Sequence, residues 1–127
     1  MSSASLSNKE RAVSFLKQVA DGEVRDAYQT YISSGFSHHN PYFQGDKGSL
    51  MRAMEEDASK NPHKMLEVHR AIEEKDFVVV HSHIKQNQED TGAAVVHMMR
   101  FDNGKIIELW DIGQPIPEDT PNENGAF

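Results

Sequence analysis

His97 and Asp111 are the two residues whose types and spacing suit acid/base chemistry. They flank Asp102-Asn103-Gly104 within the run Val95 to Asp111. A carboxylate that removes a proton and an imidazole that handles one must face a common space. Asn-Gly between two apolar runs signals a β-hairpin, so the length of the turn decides whether they do. A two-residue turn on Asn103-Gly104 pairs Phe101 with Ile106 and points His97 and Asp111 to opposite sides, because side chains alternate along a strand. In a three-residue turn with Gly104 left-handed, Phe101 faces Lys105 and His97 sits opposite Leu109. Asp111 then lies diagonally on the same face. The residues permit both turns.

Asp111 follows Leu109-Trp110 and precedes Ile112. A carboxyl set among large apolar groups is suited to a general base; the ordinary alternative is a strand-end Asp bonded to backbone or to an Arg. In Phe77–Gln86, His81 and His83 share a face with Phe77 and Val79, while Val78, Val80, Ser82 and Ile84 share the other. Buried imidazoles there need partners, since an unpaired polar group costs roughly 1–3 kcal/mol. They are either bonded core histidines or the lining of a pocket. His81-x-His83, joined by His97 and Asp111, could also complete a zinc or iron site, although no HExxH accompanies it. Arg100 and Glu108 fall on the face away from His97, where a cross-strand ion pair suffices. His38 alternates away from His39, so one of them at most faces any pocket. Asn40 can orient a carbonyl or cap a turn before Pro41. His63 is expected to be solvated.

The elements that must hold these residues follow from periodicity. Ser7 and Glu10 form a capping box; Ala12, Phe15, Leu16 and Val19 follow at helical spacing, and Gly22 ends the helix. Val24, Ala27, Tyr28 and Tyr31 make a second helical stripe over Glu23–Ile32, broken by Ser33-Ser34-Gly35. Phe36–Pro41 reads as a short extended crossing. Asp46 caps a third helix with Leu50, Met51, Met54 and Ala58 on its apolar face, closed by Asn61-Pro62. From Met65 the period becomes two: strands over Met65–Ile72, Phe77–Gln86, Val95–Phe101 and Lys105–Ile112, the first pair joined by a turn at Glu73–Asp76. Helices followed by consecutive strands predict an α+β fold with helices on one face of a curved sheet. Gly113–Phe127, with three prolines, reads as a mobile tail.

Composition narrows the functions. The 127 residues suit one domain with a core of its own. No cysteine is present, which excludes disulfides and thiolate chemistry and suits a reducing cytoplasm, the expected location. A net charge of −7 argues against nucleic acid or an anionic membrane as partner. No apolar run reaches the length of a bilayer span, and the first residues lack a signal-peptide pattern.

Several segments together resemble a known family. Phe36-Ser-His-His-Asn-Pro41, Val68-His-Arg, Asp76-Phe-Val-Val-Val-His-Ser-His83 and Arg100-Phe-Asp-Asn-Gly-Lys-Ile-Ile-Glu-Leu-Trp-Asp111 look like the SnoaL-like polyketide-cyclase branch of the nuclear transport factor 2-like superfamily. The ending Gln114-Pro-Ile-Pro, followed by Pro121 to Phe127, resembles its predicted aldol-condensation group. The resemblance runs from about Asn8 to Phe127. Lys75 departs from it, standing where a Gly is usual before Asp76.

The resemblance implies a cone-shaped barrel of a curved, mainly antiparallel sheet with three N-terminal helices on its concave face. One domain would span 1–127, with a loose terminus over 1–6. It implies a cofactor-free acid/base catalyst, of an aldol-condensation or cyclase type, acting on a small carbonyl compound. Asp111 would be the acid/base residue and His97 its partner, which favours the three-residue turn. His39, Asn40, His83 and Trp110 would contact substrate, and Phe15, Phe36, Phe77 and Trp110 would wall an apolar pocket. A homodimer is expected. The competing expectation is a non-catalytic ligand-binding or dimerisation module of the same fold.

Overall fold

In the computed structural model residues 6–127 are described; apart from Leu6, the terminus expected to be loose lies outside them. Helix α1 spans Asn8–Ala20. It starts where the capping box places it, with Ser7 Oγ accepting from the Glu10 N–H at 3.1 Å and the Glu10 carboxylate from the Ser7 N–H at 3.0 Å. Helix α2, Val24–Tyr31, runs without a linker into strand β1, Ile32–His38. Ser33-Ser34-Gly35 therefore belongs to a strand and not to a break: Ile32 already has an extended backbone, and the strand runs on through Gly35 to His38, although its register with the neighbouring strand shifts between Ile32 and Ser37. Helix α3, Lys47–Lys60, is capped by Asp46, whose carboxylate accepts from the Ser49 N–H at 3.0 Å.

Strands β2 (Met65–Glu74), β3 (Phe77–Lys85), β4 (Ala93–Asp102) and β5 (Lys105–Pro115) follow. The sheet order is β1-β5-β4-β3-β2; β1 runs parallel to β5 and the other pairs are antiparallel. The sheet is open, with β1 and β2 as its edges, so the expected α+β architecture holds but the barrel does not close. One core unites the helices with the inner sheet face: Phe15, Leu16, Ala27 and Tyr28 meet Val78, Val80, Met99 and Leu109. No helix among the described residues is long and apolar enough to cross a membrane.

The β4–β5 hairpin corrects the expected turn. Asn103 (φ 51) and Gly104 (φ 76) are both left-handed, and Phe101 pairs with Ile106. That is a two-residue turn of the primed kind, which matches strand twist. The register then shifts by one, so that Arg100 pairs with Glu108 and Ile107 has no partner. This bulge restores what the two-residue turn removes: His97 pairs directly with Asp111. Lys75, in the β2–β3 turn, adopts φ 56, the left-handed conformation that a Gly would take more easily.

The segment after Ile112 is not a mobile tail throughout. β5 continues to Pro115, the Ile116 N–H donates to Gly92 O at 2.9 Å, and Thr91 Oγ1 donates to Ile116 O at 2.7 Å. The Phe127 ring stacks on His69 at 4.2 Å. Composition understated these anchors because two backbone-linked residues and one aromatic ring suffice to hold a Pro-rich stretch.

Gly104 tests the hairpin. A Cβ there would sit in the left-handed region, which costs about 1–2 kcal/mol for an L-residue, and would meet only the movable Arg11 side chain. Gly104→Ala is expected to lower stability by about that amount, measured by urea unfolding, without changing the fold.

Candidate functional site

The site is built on one transverse row of the inner sheet face, Ala71–Val80–His97–Asp111. Cross-strand neighbours in such a row hold their Cβ atoms about 4.5–5.5 Å apart. His97 is 6 % exposed, and its Nδ1 is enclosed without a hydrogen-bond partner among the described residues. Burial pushes its pKa down to about 4; the Asp111 charge opposes this and the Lys64 ammonium reinforces it. His97 is therefore a neutral imidazole at pH 7. Its ring lines a small cavity of about 70 Å³, walled otherwise by Lys64 and by apolar side chains such as Leu16, Val19, Met54 and Ile84.

Asp111 is half-buried and accepts a hydrogen bond from Asn40 Nδ2 at 3.1 Å. Asn40 is itself held at two further atoms. Its N–H donates to His38 Nδ1 at 3.1 Å, and its Oδ1 accepts from the Tyr42 N–H at 2.9 Å. With Nδ1 accepting, His38 carries its proton on Nε2, which donates to Gln44 O at 2.6 Å. The loop after β1 is thus tied to a buried imidazole, and it presents the Asn40 amide to the carboxylate. Tyr28 lies close by. Its hydroxyl donates to Met54 Sδ at 3.3 Å, and burial, with the Asp111 charge second, raises its pKa.

Not every residue expected at the site is there. Phe36 is buried on the inner side, edge-on to Tyr28 at 6.3 Å, and Phe15 is likewise in the core. His39 and Trp110 are on the outer face, their rings stacked at 4.8 Å. His39 Nε2 bonds to Glu108 Oε2 at 2.6 Å, and Arg100 Nε donates to the other Glu108 oxygen at 3.0 Å, the cross-strand ion pair that was expected. Phe77 is also outside, 6.1 Å from Trp110. His83 donates to Thr91 O at 2.8 Å and lies 4.9 Å from the Phe127 ring. His81 is bonded to Arg70; burial first, then the charges of Arg70 and His69, lower its pKa.

The physical reason is the pleat. β3 turns Val80 and Ser82 toward His97, so His81 and His83 must point away from it. The imidazole-lined pocket and the His81/His83/His97/Asp111 ligand set are therefore not assembled. Among the described residues no group of three or more His, Asp or Glu side chains is placed to hold a metal ion. His63 is exposed, as expected.

Three residues of the site escape the sequence reading. His38, not His39, turns inward; alternation says only that the two differ. Tyr28 reads as one more apolar residue of a helical stripe, although a buried Tyr hydroxyl always needs a partner. Lys64, just after a helix-ending proline, carries no signal of its own.

No protein-family model matches the chain, and no curated protein matches it. Solved structures do. A nuclear transport factor 2-like protein of unknown function from Cytophaga hutchinsonii is 18% identical over 87% of this chain and 92% of that one, with a TM-score of 0.68. A candidate isomerase of the SnoaL-like family from Agrobacterium tumefaciens is 11% identical over 86% and 99%, TM-score 0.69. A candidate polyketide cyclase from Acidithiobacillus ferrooxidans is 20% identical over 90% and 92%, TM-score 0.69. Likeness at these identities shows the fold, and the fold is the nuclear transport factor 2-like one.

The neutral state of His97 has a measurable consequence. Its pKa is lower in the folded chain, about 4, than the roughly 6.5 of an unfolded histidine. Between these values the unfolded chain binds more protons, so stability is fully present above pH ~6.5 and is lost as pH falls toward 4. The loss amounts to about 3 kcal/mol. In His97→Leu, urea unfolding between pH 4 and 6.5 is expected to show a correspondingly flatter slope than in the wild type.

Proposed function

We propose that the chain is a cofactor-independent acid/base catalyst of the SnoaL-like type. It acts on a small carbonyl compound in an aldol-condensation or ring-closing reaction. The observation that carries this reading is the pairing itself: a carboxylate, held by Asn40, opposite a neutral imidazole that lines a small, largely apolar cavity. Asp111 takes a proton from the carbon α to a carbonyl. A neutral His97 N–H donates a hydrogen bond to the enolate oxygen that forms. The carbanion attacks a second carbonyl carbon, and the proton on Asp111 passes to the resulting alkoxide. The apolar wall keeps water from competing for the His97 hydrogen bond. The lack of cysteine suits work in a reducing cytoplasm.

The outer sheet face supports a homodimer. Ile72, Val79, Met98 and Trp110 form one apolar row across four strands, and Val96 and Ile112 extend it. Ile72 and Ile112 are 59 % and 62 % exposed, an apolar surface of the kind that marks an interface. A second copy meeting it through the same face would close a two-fold, isologous contact. This face is also what favours the second reading, a dimerisation module without turnover.

Proton–deuterium exchange at the α-carbon of small ketones and 1,3-diketones, followed by NMR in heavy water, separates the two. Asp111→Asn is expected to lower the exchange rate by about 100-fold or more, and Asn40→Ala by less. An exchange rate that survives Asp111→Asn removes that residue from the chemistry.

For the assembly, sedimentation is expected to find a dimer that Ile72→Glu combined with Ile112→Glu converts to monomer. A wild-type chain that sediments as a monomer sinks the dimer.

A further inference from the structure

The cavity beside His97 has a single charged group on its wall, Lys64. This residue also lines an open surface depression with His63, Asn87 and Glu89, so it stands between solvent and the interior. Its side chain is only 18 % exposed. The ammonium is paired with Asp57, whose Oδ1 also accepts from Asn61 Nδ2 at 3.1 Å and from Gln86 Nε2 at 3.3 Å. An ammonium has three donors, and the bond to Asp57 is the one the Lys64 side chain makes among the described residues. Two donors are left for a ligand.

A second observation points into the same space. His97 is 6 % exposed, lines the cavity, and keeps a ring nitrogen without a partner. The rest of the wall is hydrocarbon: Leu16, Val19, Met54, Leu66 and Ile84. About 70 Å³ gives room for roughly five or six water-sized groups, at about 10–15 Å³ each. An occupant must therefore be short, apolar along most of its length, and rich in acceptors at the end that meets the ammonium. Charge-assisted bonds to an ammonium are about twice as strong as neutral ones, which favours an anionic end over a neutral one. The two amides on Asp57 disperse its charge, so a second carboxylate can share Lys64 with it.

We propose that this cavity binds a short-chain oxo acid, with its carboxylate on the free N–H groups of Lys64 and its carbonyl end against His97. The proposal names the substrate class of the acid/base site and rests on that reading for the chemistry at His97; the binding stands on Lys64 alone. Lys64 is then the residue that selects substrate, reading the carboxylate at the cavity entrance while His97, the cross-strand partner of Asp111, meets the carbonyl further in.

Pyruvate and butane-2,3-dione are the probes, being close in shape and differing in charge. Binding to the full chain is measured by calorimetry and by ligand-observed NMR. The wild type is expected to bind pyruvate about tenfold or more tightly than the dione. Lys64→Met is expected to abolish that preference while leaving dione binding within a few-fold. Asp57→Asn, which keeps an acceptor for Asn61 and Gln86 but removes the competing charge, is expected to raise pyruvate affinity several-fold. Equal binding of the two probes to the wild type overturns the proposal, as does pyruvate binding that neither substitution changes. Selective pyruvate binding combined with undiminished α-proton exchange in Asp111→Asn would leave the oxo-acid site standing and remove the catalytic reading instead.

Discussion

Between the turn and the site, β5 carries one residue more than β4, and the placement of every functional side chain on this hairpin follows from that excess. Asn103-Gly104 supplies two consecutive left-handed residues, the conformation of a two-residue turn, and it pairs Phe101 with Ile106. Continued without interruption, that register would set Glu108 opposite the fully buried Met99 and Trp110 opposite His97, and turn Leu109 outward. Burying an unpaired carboxylate costs several kcal/mol, and exposing Leu109 forgoes roughly 1.5–3 kcal/mol of burial. Leaving Ile107 unpaired costs one interruption of the ladder. The bulge is the cheaper solution, so Leu109 is buried at 1 % exposure and Glu108 reaches Arg100 and His39 outside. Asp111 comes inward as a consequence of where Leu109 must go.

Once opposed, the two groups do not form an ion pair. The Asp111 charge favours an imidazolium at His97, whereas burial and the Lys64 ammonium favour the neutral ring. Burial is the largest of the three influences, and the ring's pKa falls to about 4. Asp111 is half-buried and has an amide donor from Asn40, so its charge is not left without a partner. The difference in burial across one cross-strand pair thus leaves a neutral imidazole opposite a carboxyl that reaches the surface. Asn40 connects this pair to the rest of the fold, because its own N–H is fastened to the buried His38.

Much of the architecture was legible. Caps at Ser7 and Asp46 and the proline after Asn61 mark helix boundaries by local chemistry that tertiary packing does not override, and strict alternation separates His81 and His83 from Val80 and Ser82. Which face is inner was not legible, because both are apolar. Phe77, Val79, Met98 and Trp110 look as core-like as Val78, Val80, Met99 and Leu109, and only the helices decide between them. His39, His83 and Trp110 went to the wrong side for this reason. The one-residue shift in β5 is hidden for a different one: a bulge leaves no residue signature when the inserted residue, here Ile107, is itself a good strand former. Lys64 is silent in sequence because its significance lies in what it borders, a space made by residues from five separate elements.

The open apolar face and the site behind it are not independent. Trp110 and Ile112 point outward from the two positions flanking Asp111, so whatever packs on them restrains the strand segment that aims the carboxylate. On the monomer Ile112 is 62 % exposed, while the stacked His39 ring, Phe77 and the cross-strand neighbour Met98 lie beside Trp110. A second copy on this face would restrain β5 from outside while Asn40 holds the Asp111 carboxylate from inside. Functional groups need to be held to within a fraction of an ångström by a supporting shell, and among the described residues the inner side provides one bond to that carboxylate. On the proposed assembly, dimerisation is therefore a means of stiffening the base as well as of covering apolar surface. The same strands that separate the two faces chemically couple them mechanically.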